Sequence, residues 1–173
     1  MKKSIIIIVI LLSGWFLFFY QKDNSEKYYS KMYSTLRELA ALYNNLSEHH
    51  YFFLEKCEQD NRINIYLAKE NKTLMCYDIN SVEMKKYIIQ NGVNYQEFIR
   101  LHQLLLNAKA LSLSKSFYGK GRFTTVIGYD NGHFGKQKQI LFPYFYGDSL
   151  ILPTKSKKLD SAVYANLGKS PFE

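Results

Sequence analysis

Glycine and proline divide this 173-residue chain into two unlike halves. Between Gly14 and Gly92 there is neither residue, whereas all three prolines (Pro143, Pro153, Pro171) and seven of the nine glycines stand at or beyond position 119. Proline inside a helix removes a hydrogen bond and clashes with the preceding turn, and glycine weakens helix interiors. A long stretch free of both favours helix, and a stretch rich in both favours strands and turns. The expected fold class is α+β. It comprises an N-terminal transmembrane helix and a helix-rich N-terminal half containing a long amphipathic helix, a short β-hairpin and a tight αα-corner. These pack with a C-terminal antiparallel β-hairpin or meander.

The transmembrane element rests on residues 5–20, IIIIVILLSGWFLFFY, which carry no charge and follow Lys2 and Lys3. A cleaved secretory signal ends in small residues; here the end of the apolar run, Trp15 to Tyr20, is bulky and aromatic. Leu12-Ser13-Gly14 would suit a bacterial lipoprotein signal, but Trp15 stands where that pattern needs cysteine. Ser4 to Tyr20 reaches the lower limit of about 17 residues for a spanning helix, and Trp15 and Tyr20 suit the bilayer interface, where amphipathic rings settle. The segment reads as an uncleaved, single-pass signal-anchor. Residues 1–24 are then anchor and linker, with residues 4–20 in the lipid, and residues 25–173 form a single domain. Lys2 and Lys3 on one side are nearly balanced by Lys22, Lys27 and Lys31 on the other. The very short N-terminal tail favours the N-terminus inside and the main domain outside the cytoplasm, in the periplasm if the cell is Gram-negative.

Hydrophobic residues make up 47% of the chain and aromatics 16%, which is material for a real core. The net charge of +8 is unevenly placed: residues 21–100 hold eleven basic and eleven acidic side chains, residues 101–173 ten and four. The excess gathers at Lys115, Lys120, Arg122, Lys136 and Lys138, a candidate partner surface. Such a surface attracts nucleic acid, anionic headgroups or acidic proteins. Outside the cytoplasm the expected partner is a protein with an acidic surface or anionic headgroups, not nucleic acid.

Residues 25–57 carry apolar and aromatic positions at strict 3-4 spacing (Tyr29, Met32, Leu36, Leu39, Tyr43, Leu46, His50, Phe53, Cys57), a helical stripe. Few opposite charges flank it, so it reads as a helix laid on its own domain; a homodimer through residues 25–57 is the lesser reading. Asn44, Asn45 and Ser47 suggest a break. Residues 62–68 and 73–79 read as a β-hairpin. Asn80 with Glu83, and Asn94 with Glu97, resemble two capping boxes, and Gly92 suits the left-handed end of the first helix, giving the αα-corner. Residues 123–129 and 137–146 flank Asp130-Asn131-Gly132, a hairpin-turn signal. Residues 159–167 read as a short helix.

Cys57, at the end of the long helix, and Cys76, in the second strand of the first hairpin, are nineteen positions apart, and a chain that reverses twice between them brings them together for a bridge in an oxidising compartment, stabilising by about 2–4 kcal/mol. The histidines (His49, His50, His102, His133) include no pair at helical metal spacing. Gly119-Lys120-Gly121-Arg122 lacks the remaining residues of a phosphate loop. No catalytic, cofactor or metal residue is therefore nominated, and no cofactor is expected. The expected function is binding without catalysis, as an envelope-assembly component or a tethered inhibitor of the immunity-protein type. The alternative is a small envelope hydrolase with a site that no motif marks.

Overall fold

The computed structural model describes residues 24–47, 52–67, 72–117, 123–130, 137–144 and 156–166. Helix α1 (Ser25–Leu46) is followed by strands β1 (Phe52–Lys56), β2 (Arg62–Leu67) and β3 (Lys72–Asp78). Helices α2 (Val82–Gln90) and α3 (Tyr95–Asn107) form the corner. Strands β4 (Ala110–Phe117), β5 (Phe123–Asp130), β6 (Gln137–Tyr144), β7 (Ser156–Asp160) and β8 (Val163–Asn166) complete the order. The fold is α+β, and the two halves share one eight-stranded antiparallel sheet in the order β3-β2-β1-β4-β5-β6-β8-β7.

One row of side chains explains why the sheet is continuous. The register places Leu74, Ile65, Leu54, Leu113, Ile127, Ile140 and Ala165 opposite one another in turn, from β3 to β8. Each of the seven is at most 6% exposed. Strand residues alternate between faces, so a shift of one residue in any strand would turn its member of the row to the opposite face. Burying each of the larger ones contributes about 1.5–3 kcal/mol. The row continues on β7 at Lys157, opposite Ala165, and its ammonium meets Glu26 of α1 at 3.1 Å.

Helix α1 lies over this face. Tyr29, Leu36, Leu39, Ala40, Tyr43 and Leu46 are buried in the common core with Phe98, Leu101 and Leu105 of α3. The helical stripe is thus used within the chain. Its expected course to Cys57 is corrected: α1 ends at Leu46 and residues 52–56 are strand. Ser47 follows the helix with its hydroxyl and amide both donating to the Tyr43 carbonyl, and Phe52 and Leu54 then alternate inward with period 2. The 3-4 spacing of Phe53 and Cys57 was a coincidence of an aromatic-rich strand.

The αα-corner forms as the capping signals require, with one shift. Ser81, not Asn80, caps α2, accepting the Met84 amide at 3.1 Å, while the Asn80 amide donates to Asp78 Oδ1. Asn94 Oδ1 accepts the Gln96 and Glu97 amides at the start of α3. Gly92, at φ 77°, takes the left-handed conformation between the two helices. The short helix expected at 159–167 is instead a β-hairpin, β7 to β8. Asp160 Oδ1 accepts the Ser161 amide and closes the turn, after which Val163 and Ala165 alternate inward.

Candidate functional site

Cys57 follows β1 and Cys76 lies in β3, and the two form a disulfide with Cα atoms 5.8 Å apart. The reversal of the chain through β2 brings them together. Opposite Asn64 of β2, strand β3 carries two residues, Met75 and Cys76, so the ladder is bulged there. Cys76 takes φ 49°, a left-handed conformation that costs a non-glycine residue about 1–2 kcal/mol. Asn64 fits the bulge: its Oδ1 accepts the Cys76 amide at 2.7 Å and its Nδ2 donates to Glu55 Oε2 at 3.1 Å.

Among the described residues strand β3 is an edge of the sheet. On it Met75 is 73% and Tyr77 39% exposed; just beyond, on α2, Val82 is 78% and Ile89 53% exposed. Large apolar side chains exposed to water are candidates for a contact surface. Sequence reasoning missed this group. The available signal was residues 73–79, TLMCYDI, in which apolar residues occupy both phases of a strand.

At the opposite side of β1, Lys115 is buried, and its Nζ donates to the carbonyl oxygen of Ser47 at 2.7 Å. Nearby on the same strand pair, the Thr125 hydroxyl donates to Asn44 Oδ1. Helix α1 has no basic residue in its own last turn. A cation from β4 therefore meets the negative end of its dipole. Lys115 is thus a structural cation and does not belong to an exposed basic surface, which corrects the sequence reading. Lys138 is half-buried near the start of β6. Lys120, Arg122 and Lys136, together with Trp15, Tyr20 and the apolar segment 4–20, lie outside the described residues. Among the described residues no helix is long and apolar enough to cross a membrane.

His102 of α3 is buried, and among the described residues its Nε2 finds no hydrogen-bond partner. Burial holds its pKa below the usual imidazole value, while the charge and backbone of Asp60 pull the other way and Lys56 adds a small push downward. Asp60 is itself held low by the Lys56 ammonium, 2.6 Å away. A second polar cluster joins α1 to β7. The Arg37 guanidinium reaches Asp160 Oδ2 at 2.8 Å and the Tyr29 hydroxyl donates to the same oxygen at 3.2 Å. The Ser161 amide, then Tyr29 and Arg37, keep the Asp160 carboxyl low. Tyr28 stacks on Tyr129 at 4.0 Å and donates to the Ala108 carbonyl; burial pushes its phenol well up.

None of these clusters sets a nucleophile beside a base, and no group of three metal-ligating side chains occurs among the described residues. No protein-family model matches the chain, and comparison with curated proteins and with solved structures finds no match.

Proposed function

We propose that this chain is a membrane-tethered binding protein whose domain, residues 25–173, works outside the cytoplasm by docking a protein partner. The observation that carries the binding reading is the exposed apolar group on β3 and α2, Met75, Tyr77, Val82 and Ile89. The Cys57–Cys76 disulfide supports an oxidising compartment, and the uncharged run 5–20 supports the tether. The basic excess of residues 101–173 favours a partner with an acidic surface. Such a domain serves as a component of an envelope assembly or as a tethered inhibitor.

The test is a pull-down with the full chain solubilised from membranes, comparing wild type with Met75→Asp and Val82→Asp. Both positions are largely in water, so the variants keep the fold. The expected result is one protein retained by wild type, released by raised salt, and recovered at least fivefold less by each variant. Absence of a salt-sensitive partner, or recovery by both variants equal to that by wild type, overturns the reading.

A further inference from the structure

We propose that the Cys57–Cys76 disulfide is a thiol-exchange site, opened at Cys76 in the folded protein by a dithiol reductant of the Cys-x-x-Cys class. The inference stands apart from the binding role and rests on three features of the β2–β3 edge.

The first is access. Cys76 is exposed on β3, beyond which no further strand pairs among the described residues, whereas Cys57 is half-buried. Attack therefore falls on Cys76. The second is the backbone. Cys76 sits in the bulge at φ 49°, a conformation that is costly for any residue but glycine. Exposed or strained disulfides are the labile ones. The third is the state of the released sulfur. Asn64 Oδ1 lies 3.5 Å from Cys57 Sγ and is already held in place by the Cys76 amide and by the Asn64 bond to Glu55. A free Cys57 thiol finds its acceptor without rearrangement.

The exchange proceeds in two displacements. One thiolate of the dithiol attacks Cys76 Sγ; its electron pair forms the new sulfur–sulfur bond. The Cys57–Cys76 bond breaks, and its pair leaves on Cys57 Sγ, which takes a proton. The second thiolate of the dithiol then attacks the first dithiol sulfur in the mixed disulfide, and Cys76 leaves as a thiolate and is protonated. Two electrons pass: the dithiol is oxidised to a disulfide, and the protein gains two thiols.

The full chain in detergent micelles, near neutral pH, is incubated with dithiothreitol at increasing concentration, quenched, alkylated and analysed by mass. Circular dichroism reports whether the fold persists. The expected result is reduction at a rate proportional to dithiothreitol, changing less than twofold across urea concentrations that leave the protein folded. A rate that levels off with dithiothreitol, or rises more than tenfold across that urea range, means the bridge opens only when the fold does and overturns the proposal. A thioredoxin lacking its second active-site cysteine is then used to trap the mixed disulfide. An adduct on Cys76 is expected; an adduct on Cys57, or none, overturns it.

Discussion

The ammonium of Lys115 and the carbonyl oxygen of Ser47, brought from β4 and from the end of α1, meet at 2.7 Å inside the protein. The contact gives a buried cation an acceptor and gives a helix end the positive charge that its own last turn lacks. Lys115→Met keeps the apolar stem but removes the donor. The expected loss is about 1–3 kcal/mol, the range for leaving a buried acceptor unsatisfied, read from the midpoint of urea unfolding. A variant as stable as wild type would show that the helix terminus does not depend on this lysine.

His102 sets a pH dependence of definite sign. Its folded pKa lies below the unfolded value of about 6.5. Between those two values the unfolded chain binds more protons than the folded one, so stability falls as pH falls. The loss begins near pH 6.5 and ends once pH has passed below the folded pKa. His102→Gln should flatten the dependence between pH 7.5 and 5. Unfolding curves of the variant that still track wild type over this range would place the effect elsewhere.

Lys109 follows α3 with φ 53°, its amide donating to the Leu106 carbonyl. This is the position where a helix commonly ends on glycine. Lys109 is exposed, so its substitution removes little packing. Replacing it by glycine relieves the left-handed cost but adds freedom to the unfolded chain. The net expectation is a gain of about 0.5–1 kcal/mol, seen as a rise in thermal midpoint.

Asn94 holds the start of α3 by accepting two amides with one side-chain oxygen. Asn94→Ala should cost about 1 kcal/mol, and Asn94→Asp should recover most of it. Hydrogen exchange in the first turn of α3 would report whether the loss is local to that cap.

These residues also show what could be read from the sequence. Asn94, Gly92 and the helix between Ser81 and Gly92 carry local signals, because caps and left-handed turns are decided by a few neighbouring residues. The 62–67 and 72–78 hairpin and the bridge between Cys57 and Cys76 were legible for the same reason. Lys115 was misread although its signal was present. In ALSLSKSF the serines take one strand phase, and Lys115 stands in the other phase with Leu113. Its strand phase, not its charge, decides its place. The hairpin at 156–166 was missed because Leu159 to Leu167 is short enough to fit helical and strand spacing equally. The continuity of the sheet was not legible at all. It depends on Leu54 finding Leu113, and no local pattern specifies a pairing across residues 57–109.

That pairing carries a consequence for how quickly the protein forms. Most neighbouring strands of the sheet are also neighbours along the chain, whereas β1 and β4 meet only after β2, β3 and both corner helices intervene. Closing so long a loop is entropically slow and is rewarded late. The joining of Leu54 to Leu113 is therefore the step of the sheet's assembly with the largest loop to close.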